Sequence, residues 1–223
     1  MSWYHNAVFY QALVGSFKAD GDKEVGTLRG VIDKLDYLQW LGVDCLWLSP
    51  FYASPLRDDG YDIADYYSIH PDYGTMEDFE ELIAQLHHRG MRIMTDLALN
   101  HTSSDHPWFQ ASRTDPTGPY GDFYVWGDDP ERYPEIRVIF TDVETSNCLD
   151  AIAYLFERDG LGGESLPETI EFVEKVRSFM DTHYPDAVLI AEANQPPAET
   201  MQFYGKGERF HMVFNFPVMP RLY

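Results

Sequence analysis

Cysteine is nearly missing from this chain. Only Cys45 and Cys148 occur among 223 residues. They form no C-x-x-C spacing, so neither a disulfide framework nor a thiolate zinc site is expected. Cys45 sits in the apolar run VDCLWL and reads as a small buried hydrophobe. Positive charge is scarce too: 16 Lys and Arg face 37 Asp and Glu, a formal net charge of −21. That balance argues against nucleic acid or an anionic membrane as partner. Its plainest meaning is solubility. No apolar run approaches the roughly 20 residues of a membrane-spanning helix. The opening residues, MSWYHNAVFYQ, have no basic stretch and no long apolar core, so no secretory signal is expected and a cytoplasmic, reducing location is the default. No glycine-rich loop opens a helix, which disfavours a phosphate-binding protein. Internal repeats and low-complexity tracts are absent. Aromatic residues, by contrast, make up 15% of the chain. They suit stacking on sugar rings as well as they suit a large core.

The stretch 91–101, MRIMTDLALNH, organises what is present. A short apolar run here reads as a buried strand. It follows a helical segment that ends at Gly90, the junction expected in a βαβ unit. Asp96, Asn100 and His101 at its end have no packing reason to be there. In a parallel α/β barrel the carboxyl ends of the strands carry the chemistry, so these three are the first site candidates.

Taken in order, residues 7–14 read as a first strand. The acidic loop 16–26 holds Asp20, Asp22 and Glu24, but the spacing lacks a calcium-loop ladder and suits a solvated turn. Residues 27–41 read as one helix, with Leu28, Val31, Ile32, Leu35 and Leu38 on one face, stopped by Gly42. Residues 43–48 are a second strand, followed by a long loop rich in Asp and Tyr, of a length that favours function. Residues 75–89 are a helix opened by a Thr75/Asp78 capping box, with Phe79, Leu82, Ile83 and Leu86 inward. Strand, helix, strand, helix, strand with right-handed crossovers builds a parallel sheet. From 102 to 147 no helical period is visible, and 137–140 is at most a short strand. Yet a further parallel strand needs a crossover of a dozen or more residues. The run 148–157 (CLDAIAYLFE) and a glycine-rich turn come next. A helix is expected over Pro167–His183, a strand over 187–193 carrying Glu192, a break at Gln195-Pro196-Pro197, and a last strand over 211–218.

Four phrases, GYDIADY (60–66), DLALNH (96–101), LDA (149–151) and AEANQ (191–195), resemble the ordered motifs of the α-amylase superfamily, the retaining glycoside hydrolases and transglycosylases of glycoside hydrolase family 13. Any one alone is weak; together they are specific. The wider phrases SPLRDDGYDIADYYSIHPDYGT and HMVFNFPVMPRL resemble those members that interconvert maltose and trehalose. The resemblance implies an α/β fold, an incomplete (β/α)8 TIM-like barrel with a loop subdomain after the third strand. Residues 1–101 would supply the first three β/α units, 102–147 the loop subdomain and 148–223 the later units. It implies retaining α-glucosyl transfer between maltose and trehalose through a covalent glucosyl-enzyme. Two carboxyl groups about 5–5.5 Å apart would flank the glycosidic oxygen.

Carried over by position, Asp150 in LDA matches the nucleophile and Glu192 in AEA the general acid/base. Asp58 and Tyr61 match residues that hold and stack on the glucose before the cleaved bond, and His101 a hydrogen-bond partner of that sugar. Asp96 matches a supporting carboxylate. Asn100, Tyr154, Leu155 and Glu157 resemble a calcium site in which two ligands are backbone carbonyls; oxygen-only ligation suits Ca²⁺. Glu157 reads equally well as a surface acid. For Glu192, the cost of burying an unpaired carboxylate at the end of an apolar strand favours function.

The chain also departs from the family pattern. Asn147 runs directly into Cys148, where the family has a helix and most of its fourth strand, and Cys148 stands where the family has an Arg that orients the nucleophile. The family's third acid, an Asp preceded by His, would lie beyond Tyr223. The resemblance therefore describes an internally deleted and C-terminally truncated relative, expected to show little or no turnover by itself. Two further readings stand beside transfer: an α-glucosidase hydrolysing maltose-type sugars with the same acids, and a non-catalytic remnant binding sugar or calcium. Open sheet edges left by lost strands would favour self-association.

Overall fold

The computed structural model describes residues 2–124, 126, 155–156, 165–193, 195 and 197–214. They fall into two compact units, Met1–Ala98 with Thr102–Tyr124, and Leu99–His101 with Val125–Tyr223.

In the first unit, β1 (Phe9–Ala12) leads through a short helix, α1 (Val14–Phe17), to α2 (Leu28–Ile32) and α3 (Leu35–Trp40). Residues 27–41 were expected as one helix; the chain turns at Asp33-Lys34 and makes two. The apolar stripe survives the break, because Leu28, Val31, Leu35 and Leu38 are all fully buried. Thr27 caps α2, its Oγ accepting from the Gly30 N–H at 2.9 Å. The acidic loop is also more ordered than expected: it contains α1 and an antiparallel bridge between Ala19 and Gly26.

Next come β2 (Cys45–Leu48), a hairpin of β3 (Tyr52–Ala53) and β4 (Asp65–Ile69), the helix α4 (Met76–His88) and β5 (Arg92–Thr95). Strand β2 lies between β1 and β5, parallel to both, with Tyr10, Leu46 and Ile93 in register. Leu46 and Leu48 alternate into the core with Val14, Phe51, Leu82 and Leu86. Each such side chain stabilises the fold by roughly 1.5–3 kcal/mol. The capping box holds as expected: the Asp78 N–H donates to Thr75 Oγ1 at 3.2 Å and the Thr75 N–H to Asp78 Oδ2 at 2.9 Å. Cys45 is buried and its thiol is pushed up to about 12 by burial, which keeps it protonated and unreactive.

The helix α5 (Pro107–Thr114) overturns the expectation of an irregular stretch after residue 102. Its signal was a helix start and not a period. Pro107 fills a first-turn position where the missing N–H costs nothing, and buried His106 caps the turn through Nδ1, which accepts from the Trp108 N–H at 3.1 Å.

In the second unit, α6 (Pro167–His183), β6 (Ile190–Ala191), α7 (Pro197–Tyr204) and β7 (Met212–Val213) are described. The helix α6 has the expected bounds. The expected strands are much shorter, two residues each, paired in parallel with Ile190 opposite Met212 and Ala191 opposite Val213. The Gln195-Pro196-Pro197 break is where α7 begins, Pro197 again being the first helical residue. Val173, Ala191, Ala193, Phe203 and Phe210 form this unit's core. The Arg177 guanidinium ties the connection to β7, donating to the carbonyls of Gly207 at 3.1 Å and Arg209 at 2.7 Å. The expected features at 137–140 and 148–154 lie outside the described residues.

Candidate active site

Strand β5 ends at Thr95, and the next residue is the half-buried Asp96. Its backbone is fixed before its carboxylate acts. The Asp96 N–H donates to the Leu48 carbonyl at 3.1 Å, and its own carbonyl accepts from the Tyr52 hydroxyl at 3.2 Å. Each carboxylate oxygen then takes one donor: the Trp47 indole Nε1 donates to Oδ1 and the Tyr61 hydroxyl to Oδ2, both at 2.8 Å. Burial raises the Asp96 carboxyl above its ordinary range, and these two hydrogen bonds oppose the rise by favouring the charged form. Burial likewise raises the Tyr52 phenol, and Asp96 adds to that effect. The Tyr52 phenol therefore stays protonated and serves as a donor.

Tyr61 stands in a turn built around a different acid. Asp62 Oδ1 accepts from the Ser54 hydroxyl at 2.7 Å and from the Asp58 N–H at 3.3 Å, while Oδ2 accepts from the Arg57 N–H at 3.1 Å. One carboxylate thus collects three donors and shapes residues 54–58. The Tyr61 N–H closes the turn on the Asp58 carbonyl at 2.8 Å. Three residues of this loop have left-handed backbones: Leu56 at φ 56°, Asp59 at φ 49° and Gly60 at φ 103°. A non-glycine residue there is strained, and such strain clusters at functional sites. Gly60 is also required by space, since a Cβ would stand 2.8 Å from the Pro50 carbonyl oxygen. Arg57 pairs with Asp105 at 2.9 Å across exposed surface, a pair of small energetic weight.

Below this network the packing is aromatic. The Tyr66 hydroxyl donates to the Ala98 carbonyl at 2.7 Å, and burial pushes its phenol up to about 12. Burial lowers the His106 imidazole despite nearby Asp65, so it stays neutral and keeps its capping role.

The expected site residues distribute as follows. Asp58, Tyr61 and Asp96 belong to the first unit, and the structure brings them together: Asp58 and Tyr61 in one turn, Tyr61 on Asp96. Asn100, His101 and Glu192 belong to the second unit. Glu192 follows β6 directly, at the carboxyl end of its strand. Its side chain is exposed, so the burial cost expected for it does not arise; at Asp96 burial does raise the carboxyl. Leu155 is described and half-buried, while Asp150, Tyr154 and Glu157 lie outside the described residues. Trp47, Tyr52 and Asp62 were missed. Trp47 had a readable signal, because an indole N–H inside an apolar strand needs an acceptor.

Among known proteins, the α-amylase catalytic-domain family matches residues 11–144. A protein of Mycobacterium tuberculosis named trehalose synthase/amylase is 46% identical, covering 100% of this chain and 46% of its own length. A trehalose synthase of a Pimelobacter species is 45% identical over 99% of this chain and 48% of its length. The first alignment runs over 277 positions against 223 residues here, so the relative carries positions within the matched span that have no counterpart. The crystal structure of a MutB mutant in complex with glucose superposes with a TM-score of 0.85 at 28% identity, covering 99% of this chain and 51% of that one. The chain thus spans about half the length of the relatives it matches. Its fold class is that of an incomplete (β/α)8 barrel.

Proposed function

The chain belongs to the α-amylase catalytic-domain family, and from that premise we propose that it is part of an enzyme for retaining α-glucosyl transfer that interconverts maltose and trehalose. The observation that carries the proposal is similarity along the whole chain to relatives named trehalose synthase. The Asp58–Tyr61–Asp96 arrangement at a strand's carboxyl end supports it, as does the placement of Glu192 directly after β6.

On this reading Asp150 attacks the anomeric carbon of the bound glucosyl unit. Glu192 protonates the departing 4-oxygen of the second glucose, and a glucosyl–Asp150 ester forms. The freed glucose then returns with its 1-hydroxyl. Glu192 takes that proton, the ester breaks, and the product is trehalose with the original anomeric configuration. Tyr61 stacks on the glucosyl ring, and Asp58 and His101 hold its hydroxyls. Residues 1–101 make the first three β/α units, 102–147 the loop subdomain and 148–223 the later units.

Calcium belongs to the same proposal. Asn100 and Leu155 would give an amide and a carbonyl oxygen, and Tyr154 and Glu157 the rest. Neutral oxygens of this kind suit Ca²⁺, and its contribution would be to fix the segments that carry them. Among the described residues no group of three or more His, Cys, Asp or Glu is placed to hold a metal. No described helix is long and apolar enough to cross a membrane; we place the enzyme in the cytoplasm, with self-association through open sheet edges.

Two observations favour other readings. One relative's name joins amylase to trehalose synthase, which favours hydrolysis by the same acids. The alignment positions without counterpart favour a sugar-binding remnant. The purified protein, incubated with maltose and followed by chromatography, separates the three. Trehalose in excess of glucose supports transfer, with the rate falling about 10²–10⁴-fold in Glu192→Gln. Glucose alone replaces transfer by hydrolysis. Maltose binding without turnover leaves the remnant.

A further inference from the structure

We infer that Trp47 is a positioning residue for the glucose-binding ring of Tyr61, acting through the Asp96 carboxylate. The inference rests on the reading of Tyr61 as the residue that stacks on glucose.

Tyr61 lies in an irregular turn, not on a strand or helix. Its backbone is held by its N–H on the Asp58 carbonyl and by its own carbonyl, which accepts from the Ile63 N–H at 3.0 Å, and it follows the left-handed Gly60. Backbone bonds alone do not set the ring's first two side-chain torsions. The second point of support is the hydroxyl on Asp96 Oδ2 at 2.8 Å. A ring fixed at both ends presents one face in one direction.

A tether is only as stiff as its anchor, and the carboxylate could rotate. Trp47 prevents this. Its indole N–H holds Oδ1 at 2.8 Å from β2, while the backbone on either side of the carboxylate is bound to Leu48 and Tyr52. The indole ring is rigid and sits on the central strand of the sheet, in register with Gln11 and Met94. The central strand of the three-stranded sheet therefore fixes the acid, and the acid fixes the ring. Both bonds go to a charged acceptor in a half-buried site, where they are stronger than neutral pairs.

Glucose affinity, measured by titration calorimetry, tests this. Tyr61→Phe keeps the ring and removes the tether, and is expected to weaken binding about tenfold, the loss of one bond to a charged acceptor. Trp47→Phe keeps an aromatic side chain and removes the donor; a several-fold loss is expected. The decisive measurement is the double variant. Because Trp47 acts through Tyr61, Trp47→Phe on the Tyr61→Phe background should cost no further affinity. A merely structural Trp47 would weaken both backgrounds alike, and that result overturns the inference. Should Trp47→Phe fail to fold, Asp96→Asn takes its place in the same cycle. No glucose binding by the parent protein removes the glucose-site reading and the inference with it. Parental binding that is undiminished in Tyr61→Phe leaves that reading standing and removes the inference alone.

Discussion

Among the described residues, the two units differ in how much structure stands behind each carboxylate. Asp96 leaves a three-stranded parallel sheet with four registered residues on each strand, backed by a core of fully buried leucines and valines. Glu192 leaves a pair of two-residue strands, and the described core behind it centres on Phe203 and Val173. A sheet of three or more strands with a covered face can support itself, whereas two strands are marginal. On the proposed function, the first unit holds a sugar ring in one orientation, which demands stiffness. Glu192, the acid/base of the proposed function, is exposed.

Unfolding experiments can break or sharpen that contrast. The largest effects belong to the cores. Phe203→Ala should cost about 3–5 kcal/mol and Leu46→Ala about 2–5 kcal/mol, read from urea titrations. Trp3, Trp40, Trp47 and Trp108 all lie in the first unit, so fluorescence reports mostly on it, and circular dichroism on both. If the units are separately supported, Leu46→Ala moves the fluorescence transition and Phe203→Ala moves only a dichroism transition. One common shift by both probes would show a single cooperative body.

Gly60→Ala comes next. Its left-handed backbone and the nearby Pro50 carbonyl make the cost about 1–3 kcal/mol. Because the strain falls in the turn that carries Asp58 and Tyr61, glucose affinity should drop with stability. An alanine variant with full affinity would show that the turn's shape matters less than the Asp96 tether.

The smallest effect is at the α4 cap. Burial pushes the Asp78 carboxyl upward, but the Thr75 N–H and the Arg29 guanidinium at 2.5 Å outweigh it and hold the group below its ordinary value. A carboxyl with a depressed folded value lends stability above its unfolded value, near 4, and loses it as pH falls through the folded one. Asp78→Ala should therefore lower stability by about 0.5–2 kcal/mol at neutral pH. As pH falls through the folded value, the melting difference from the parent should shrink. A difference that is flat with pH would assign the effect to helix propensity instead.

Much of the first unit was legible in the sequence. The apolar stripe at 28, 31, 35 and 38, the Thr75 cap and the strand before Asp96 each rest on local rules, and each holds. The failures were of two kinds. α5 and α7 were missed because both are eight residues long; two turns are too few for periodicity to speak, and a proline just inside each start was read as a breaker. The hairpin of β3 and β4 was missed because its partners pair through a bulge, without alternation of apolar residues. At the site, the acids could be read but not their collaborators. Trp47 lies 49 residues from Asp96. Nothing local joins them; only the parallel register of β2 and β5 does. The exposure of Glu192 could not be read from an apolar run, since Ala191 and Ala193 on either side of it are both buried.

The central strand writes two messages in alternate letters. Leu46 and Leu48 speak to the helices, and Trp47 between them speaks to the carboxylate. Swapping one letter alters one word. Inserting a single codon ahead of Trp47 would exchange the messages, sending the indole among the helices and a leucine to Asp96. Here, a shift of frame is far more dangerous than a misspelling.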